Sequence, residues 1–121
     1  MARRPEAYLS DILDAAAAIR AYTKGGKRAF MRSAMARDAV IARILQIGDA
    51  VKGAEAGGVD LERLAPEVPW PQIAGMRDLL AHQYWRTDPQ ILWAVVAKDL
   101  KPLETAARKI RSARPTPKRK K

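Results

Sequence analysis

Apolar residues recur along the chain at helical spacing, and no segment shows the alternation of a strand. Tyr8, Ile12, Ala15, Ala16, Ile19 and Tyr22 line one face of a first helix. Pro5 suits its opening turn, and Gly25-Gly26 end it. A second stripe, through Phe30, Ala34, Val40, Ile41, Ile44, Leu45, Ile47, Gly48 and Val51, predicts one helix from about Lys27 to about Lys52. Gly48 inside that stripe costs about 1 kcal/mol in helix propensity, so a second helix is expected to approach closely there. Residues 53–69 read mainly as connection, broken by Gly57-Gly58 and Pro66, with one helical turn around Leu61 to Leu64. Val68-Pro69-Trp70-Pro71 stiffens the chain before a third helix over Pro71 to Trp85. Asp88 is a candidate N-cap and Pro89 a good first residue of a fourth helix, whose stripe is Leu92, Val95, Val96, Leu100, Leu103, Ala107 and Ile110. Pro102 should kink that helix or divide it. Short connections between amphipathic helices predict an all-α fold, an antiparallel bundle of four to five helices, with the first two forming a hairpin and the others packing across it.

Composition narrows the chemistry. The chain has 121 residues, no cysteine and a single histidine, His82. One domain fits that length. Thiolate zinc sites, iron–sulfur clusters, cysteine nucleophiles and multi-histidine metal sites are excluded within one chain, and no cofactor is expected. No apolar run approaches the ~18 residues of a membrane span and no signal peptide precedes the first helix, so a cytoplasmic protein is expected. The formal charge is +10, but residues 108–121 hold eight Lys or Arg and no acid. The domain is therefore expected over residues 1–111, with 112–121 a basic, disordered tail that favours polyanions without reading sequence.

Residues 76–85, MRDLLAHQYW, hold the candidate chemistry. Arg77 is a permanent cation, His82 is of the type that changes charge near neutral pH, and Tyr84 carries a phenol. At about 100° per residue, Arg77 and Tyr84 point nearly the same way, while His82 lies about 140° round from Arg77. A straight helix cannot aim all three at one point. Either the helix loosens near Ala81 to Tyr84, or a symmetric dimer axis brings two copies together. A structural reading competes, with Tyr84 and Trp85 as core or rim aromatics and Arg77 paired to Asp78 or Glu67.

Arg77, four residues, His82, one residue and Tyr84 resemble the Arg-x4-His-x-Tyr motif of the HepT-like ribonuclease toxins in the HEPN superfamily. The resemblance extends through Tyr8-Leu9 with Asp11-Ile12-Leu13, Phe30 with Asp38-Ala39-Val40, Ile47-Gly48-Asp49-Ala50, Pro69-Trp70 with Ile73 and Gly75-Met76, and Trp93 with Leu100. Two positions depart from it: Asp78 stands where Asn is frequent after the arginine, and Asp49 where Glu is. The resemblance implies a metal-independent endoribonuclease that acts as a homodimer, with Arg77 and His82 catalytic. It further implies a toxin–antitoxin pair in which a nucleotidyltransferase antitoxin transfers AMP to Tyr84. Asp78, an anion beside Arg77, is expected to modulate the site. RNA is the implied substrate, because cleavage without a metal uses the ribose 2′-OH that DNA lacks. Two other functions fit the same residues: a catalytically silent HEPN module that binds nucleotides or a partner, and a basic helical nucleic-acid binder driven by its tail.

Overall fold

A computed structural model of the chain describes residues 3–113. These fold into seven α-helices, and no strand occurs among the described residues. Helix α1 spans Pro5–Tyr22, α2 Gly26–Met31, α3 Ala34–Ala56, α4 Leu61–Leu64, α5 Trp70–Gln83, α6 Pro89–Ala94 and α7 Leu100–Ala113. A 3-10 turn, Tyr84–Arg86, follows α5, and a π-helical turn, Val95–Asp99, joins α6 to α7. The all-α bundle expected from the periodicity is what forms.

Helix α1 lies antiparallel to α3, and their ends are matched by two contacts. Tyr8 near the start of α1 packs on Gly53, where an added Cβ would stand 2.7 Å from the ring Cζ. Tyr22 at the other end receives the Arg43 guanidinium on its hydroxyl at 3.2–3.3 Å. Helix α7 runs antiparallel to α1 on its other side, through Arg20 with Glu104 at one end and Arg111 with Ser10 at the other. Helix α5 lies along α3. The resulting order is α5, α3, α1, α7, with Leu9, Ile12, Ile19, Val40, Val51 and Leu103 among the side chains closing the core. Burying each such side chain contributes about 1.5–3 kcal/mol.

The predicted second helix is two helices. The chain breaks at Arg32-Ser33, where the Ser33 hydroxyl accepts from the Ala36 N–H at 3.0 Å and caps α3. Arg37 donates back to the carbonyls of Phe30 and Met31 at the end of α2. Phe30 stays in the core despite the break, its ring 5.4 Å from that of Trp93. Helix α3 also runs on to Ala56, into the stretch expected as connection. The turn at Leu61–Leu64 is present, capped by the Asp60 carboxylate on the Arg63 N–H.

Helix α5 begins with Trp70-Pro71, and the buried Trp70 indole donates to the Ala65 carbonyl at 2.9 Å. It ends at Gln83, so its predicted last two residues belong to the 3-10 turn. Asp88 caps α6 through the Gln90 N–H at 2.9 Å. The division expected at Pro102 falls just before it, in the π-helical turn. Pro102 has no N–H to offer the carbonyl four residues earlier, and the wider turn precedes that gap. Helix α7 continues to Ala113, two residues past the expected domain end. The rest of the expected tail, residues 114–121, lies outside the described residues.

Candidate active site

Helix α5 presents the candidate residues, and it is poorly covered. Of its residues only Trp70 and Leu80 are fully buried. Leu80 points into the core, which turns Arg77 toward α3 and leaves His82 in solvent.

Arg77 crosses α3 at Gly48. A Cβ at Gly48 would lie 2.6 Å from the Arg77 Cγ and nearer still to its Cβ, so the close approach anticipated at this glycine is made by the arginine stem itself. Beyond the crossing, the Arg77 Nε donates to Asp49 Oδ1 at 2.7 Å, and Nη1 reaches Asp78 Oδ1 at 3.4 Å. These carboxylates, Asp49 foremost, hold the Arg77 pKa above its already high ordinary value. Asp78 is shared. Its closer partner is Lys52, whose Nζ lies 2.6 Å from Oδ1, and this ammonium, then Arg77, holds the Asp78 carboxyl below its ordinary range. Arg77 is therefore aimed chiefly by Asp49, and Asp78 belongs mainly to Lys52. The motif alone did not show Asp49 or Lys52 as partners. Their role depends on which turn of α3 meets which turn of α5.

His82 still lies within α5, so its offset from Arg77 is that of a regular helix. The helix does loosen, but one residue later. Gln83 takes φ −140° and ψ 36°, and Tyr84 starts the 3-10 turn. That break re-aims Tyr84 and leaves Arg77 and His82 apart. Among the described residues no hydrogen bond or ion pair joins any two of the three.

The surface around His82 is apolar and open. Leu79, one helical turn before it, is exposed; Tyr84 is 52% exposed and Trp85 67%, their rings edge to face at 5.4 Å. Neither aromatic is a core residue, so of the structural reading only a rim placement of Tyr84 and Trp85 stands. Among the described residues no hydrogen bond or ion pair joins Glu67 to Arg77.

Two of the concavities border elements that carry or hold the candidate residues. A cavity of about 80 Å³ between α1, α3, α5 and the π-helical turn is lined by Ile19, Ile44, Ile47, Ile73, Met76 and Val96 with other mainly apolar groups, and holds none of the candidate residues. An open groove of about 330 Å³ runs from Asp49 past Gln46 and Tyr8 to Arg3 and Asp11. Among the described residues no group of three or more His, Cys, Asp or Glu could hold a metal ion, and no helix is long and apolar enough to cross a membrane.

A helical bundle with one open helix bearing an arginine, a histidine and a tyrosine is a class of protein that comparison with known proteins places in a family. The model of the family described as "Ribonuclease HepT-like" matches residues 12–110, and the chain belongs to that family of HEPN-type ribonucleases. A probable ribonuclease HepT of Thermococcus cleftensis is 35% identical over 112 residues, covering 92% of this chain and 99% of that protein. A Methanocaldococcus jannaschii protein, named as a gamma-glutamylcyclotransferase and candidate RNase, is 36% identical over 104 residues, 85% of this chain and 46% of its own length. A further RNase-named protein of the same organism is 33% identical over 99 residues, 81% of this chain and 88% of that one. No solved structure matches.

Proposed function

We propose that the chain is a metal-independent endoribonuclease, the toxin of a toxin–antitoxin pair, acting as a homodimer through Arg77 and His82. The observation that carries this reading is the exposure of His82 on an uncovered helix whose arginine is already aimed by Asp49. Such cleavage needs a base to take the 2′-OH proton, an acid to protonate the departing 5′-oxygen, and a cation beside the phosphorane-like transition state. The 2′-oxygen bonds to phosphorus as the P–O5′ bond breaks, leaving a 2′,3′-cyclic phosphate and a 5′-hydroxyl. An imidazole supplies proton transfer worth about 10²–10⁴ in rate. Arg77 keeps Nη2 free of the two carboxylates that hold Nε and Nη1, which leaves an edge of the guanidinium for a phosphate oxygen.

Two chains supply what one lacks. The 140° between Arg77 and His82 survives in the folded helix, and two α5 helices facing each other across a two-fold axis would place each histidine near the other chain's arginine. Exposed Leu79, Tyr84 and Trp85 support that contact, since large apolar side chains left in solvent on a helix and the turn that follows it mark an interface.

Tyr84 is the proposed acceptor of AMP. A nucleotidyltransferase antitoxin would join its phenolic oxygen to the α-phosphorus of ATP, releasing pyrophosphate. The half-exposed ring on a turn freed from α5 supports this role. The added phosphate would bring negative charge to the cleft and obstruct RNA.

The test is cleavage of a single-stranded RNA in chelator, with the product ends analysed. Arg77→Ala and His82→Ala should each abolish cleavage, and the wild-type products should end in cyclic phosphate. Full activity in either variant would refute the assignment.

A further inference from the structure

The near balance of charge over residues 1–107 hides a strong separation. Residues 20–43 carry seven Lys or Arg and one acid, Asp38, whereas residues 49–67 carry five acids and two bases. The first set lies at the α1–α2–α3 corner and the second at the opposite end, on the last turns of α3 and the connection through α4.

Three of the corner cations have structural work. Arg20 binds Glu104 through two nitrogens, Arg37 binds the end of α2, and Arg43 binds Tyr22 and Gln46. Lys24, Lys27, Arg28 and Arg32 do not. All four are exposed, and among the described residues none has a carboxylate partner. Their backbone is firmly built. Thr23 closes α1 onto the Ile19 carbonyl at 2.8 Å, Gly26 turns the chain with φ +89°, and Phe30 anchors α2 in the core. The cations are thus uncompensated charges on a fixed frame.

The corner is joined to the end of α5 through α6. Residues 84–88 lead from the end of α5 to α6, and α6 packs on α2 and α3. Arg86, exposed and without a carboxylate partner among the described residues, stands on that bridge. The cations of α7, Arg108, Lys109 and Arg111, are a separate set, since Arg111 bonds Ser10 near the start of α1, at the far end of the bundle.

We propose that Lys24, Lys27, Arg28 and Arg32 form a second contact for the RNA substrate, gripping the phosphate backbone of the strand that leaves Arg77 and His82 over the Tyr84–Arg86 turn. The inference rests on the ribonuclease reading above and adds to it a reason for preferring strands longer than the site itself. The chemistry favours a polyanion over a protein partner. Protein interfaces are depleted in lysine at their centres and use apolar and aromatic anchors. This corner offers cations, Gly25 and Ala29, and among the described residues its exposed large side chains of apolar character are Met35 and Tyr22, the latter tied down by Arg43 on its hydroxyl. Phosphate contacts need charge alone.

The experiment measures binding and cleavage separately on the full chain. In a His82→Ala background, a labelled single strand of about 20 nucleotides is titrated at several salt concentrations. K24Q/K27Q/R28Q/R32Q should weaken binding about tenfold or more at moderate salt. It should also flatten the dependence of log K on log salt by about 2–3, as expected for losing some four phosphate contacts at ~0.7 each. With His82 intact, the same four changes should raise KM for the long strand and leave cleavage of a trinucleotide unaltered. Unchanged affinity and salt slope would overturn the proposal, even if the protein cleaves RNA. A flattened slope in a protein that cleaves no RNA would uphold the corner and refute the ribonuclease reading instead. Lost capture of an acidic protein partner with RNA binding intact would overturn the proposal in favour of protein docking. If the fourfold variant loses its helical circular dichroism, K24Q/K27Q and R28Q/R32Q are measured singly, each expected to give about half the slope change; no change in either overturns the proposal.

Discussion

Arg77 passes α3 over Gly48, in space that no other residue would leave. The glycine sits in mid-helix, where alanine would ordinarily stabilise by about 1 kcal/mol. Here an added Cβ would fall 2.6 Å from the Arg77 Cγ, so one helix or the arginine must move. Gly48→Ala is expected to reverse the usual sign and destabilise by about 1–3 kcal/mol, the range of overpacking. It should also lower cleavage, because the displaced guanidinium leaves Asp49. Thermal unfolding and cleavage rate check both. A stabilised and active Gly48→Ala protein would show that the crossing is not tight.

Asp49 and Asp78 make different claims on the same arginine. The 2.7 Å bond from Nε to Asp49 aims the side chain, and the 3.4 Å approach to Asp78 is secondary to that carboxylate's bond with Lys52. Asp49→Ala should therefore reduce kcat by about tenfold or more, whereas Asp49→Asn, which keeps an acceptor for Nε, should retain most of it. Asp78→Asn frees little of Arg77 and should raise cleavage by no more than a few-fold. Steady-state kinetics on one RNA ranks the three variants.

The Lys52–Asp78 pair predicts a pH effect whose sign follows from the depressed carboxyl. A carboxylate whose folded pKa lies below its unfolded value of about 3.9 contributes stability above that pH. The contribution is lost as pH falls through the folded pKa. Lys52→Gln should accordingly be less stable than wild type near neutrality and indistinguishable from it in strong acid. Both side chains are largely exposed, so the effect is small. Denaturant midpoints for the two proteins across pH 2–7 test it.

Much of this arrangement is legible in the chain because local rules and packing agree. Pro5, Trp70-Pro71 and Asp88-Pro89 all start helices as their chemistry directs, and the glycine in the second stripe does mark a close crossing. The break at Arg32-Ser33 is hidden because Phe30 and Ala34 keep helical spacing across it. Ser33, a residue suited to capping, is the one signal there. The partners of Arg77 are not readable from the motif. Asp49 and Lys52 meet α5 only through the register of two helices separated by a 13-residue connection. The basic corner is masked by distant acids in the overall sum, and counting charge by segment reveals it.

Composite sites make a distinctive prediction. If each cleft takes its arginine from one chain and its histidine from the other, Arg77→Ala and His82→Ala proteins are each inactive. Mixing them with exchange of subunits should restore cleavage, because every dimer of one variant with the other holds one intact cleft. Trp85→Glu, which puts a charge on the exposed apolar face, should shift the protein to monomer and abolish activity without unfolding it. Light scattering with cleavage assays measures both. No recovery on mixing, together with an active monomer, would place the whole site in one chain.

Tyr84→Phe tests the acceptor role proposed for the motif tyrosine. The phenylalanine keeps the ring that packs against Trp85 and removes only the acceptor oxygen. The variant should cleave RNA within a few-fold of wild type, yet escape inactivation by the nucleotidyltransferase and ATP. Intact mass should rise by one or more AMP groups in wild type only. Labelling of the Phe variant would move the acceptor elsewhere.

The most direct test of the central claim uses one strand with a single ribonucleotide in an otherwise deoxy backbone, placed within a cleavable sequence and incubated in chelator. Wild-type protein should cut only 3′ to that ribonucleotide, leaving a cyclic phosphate. His82→Ala should slow the cut by about 10² or more. Cleavage of the all-deoxy strand, or an undiminished rate for His82→Ala, would contradict attack by the 2′-oxygen under histidine catalysis.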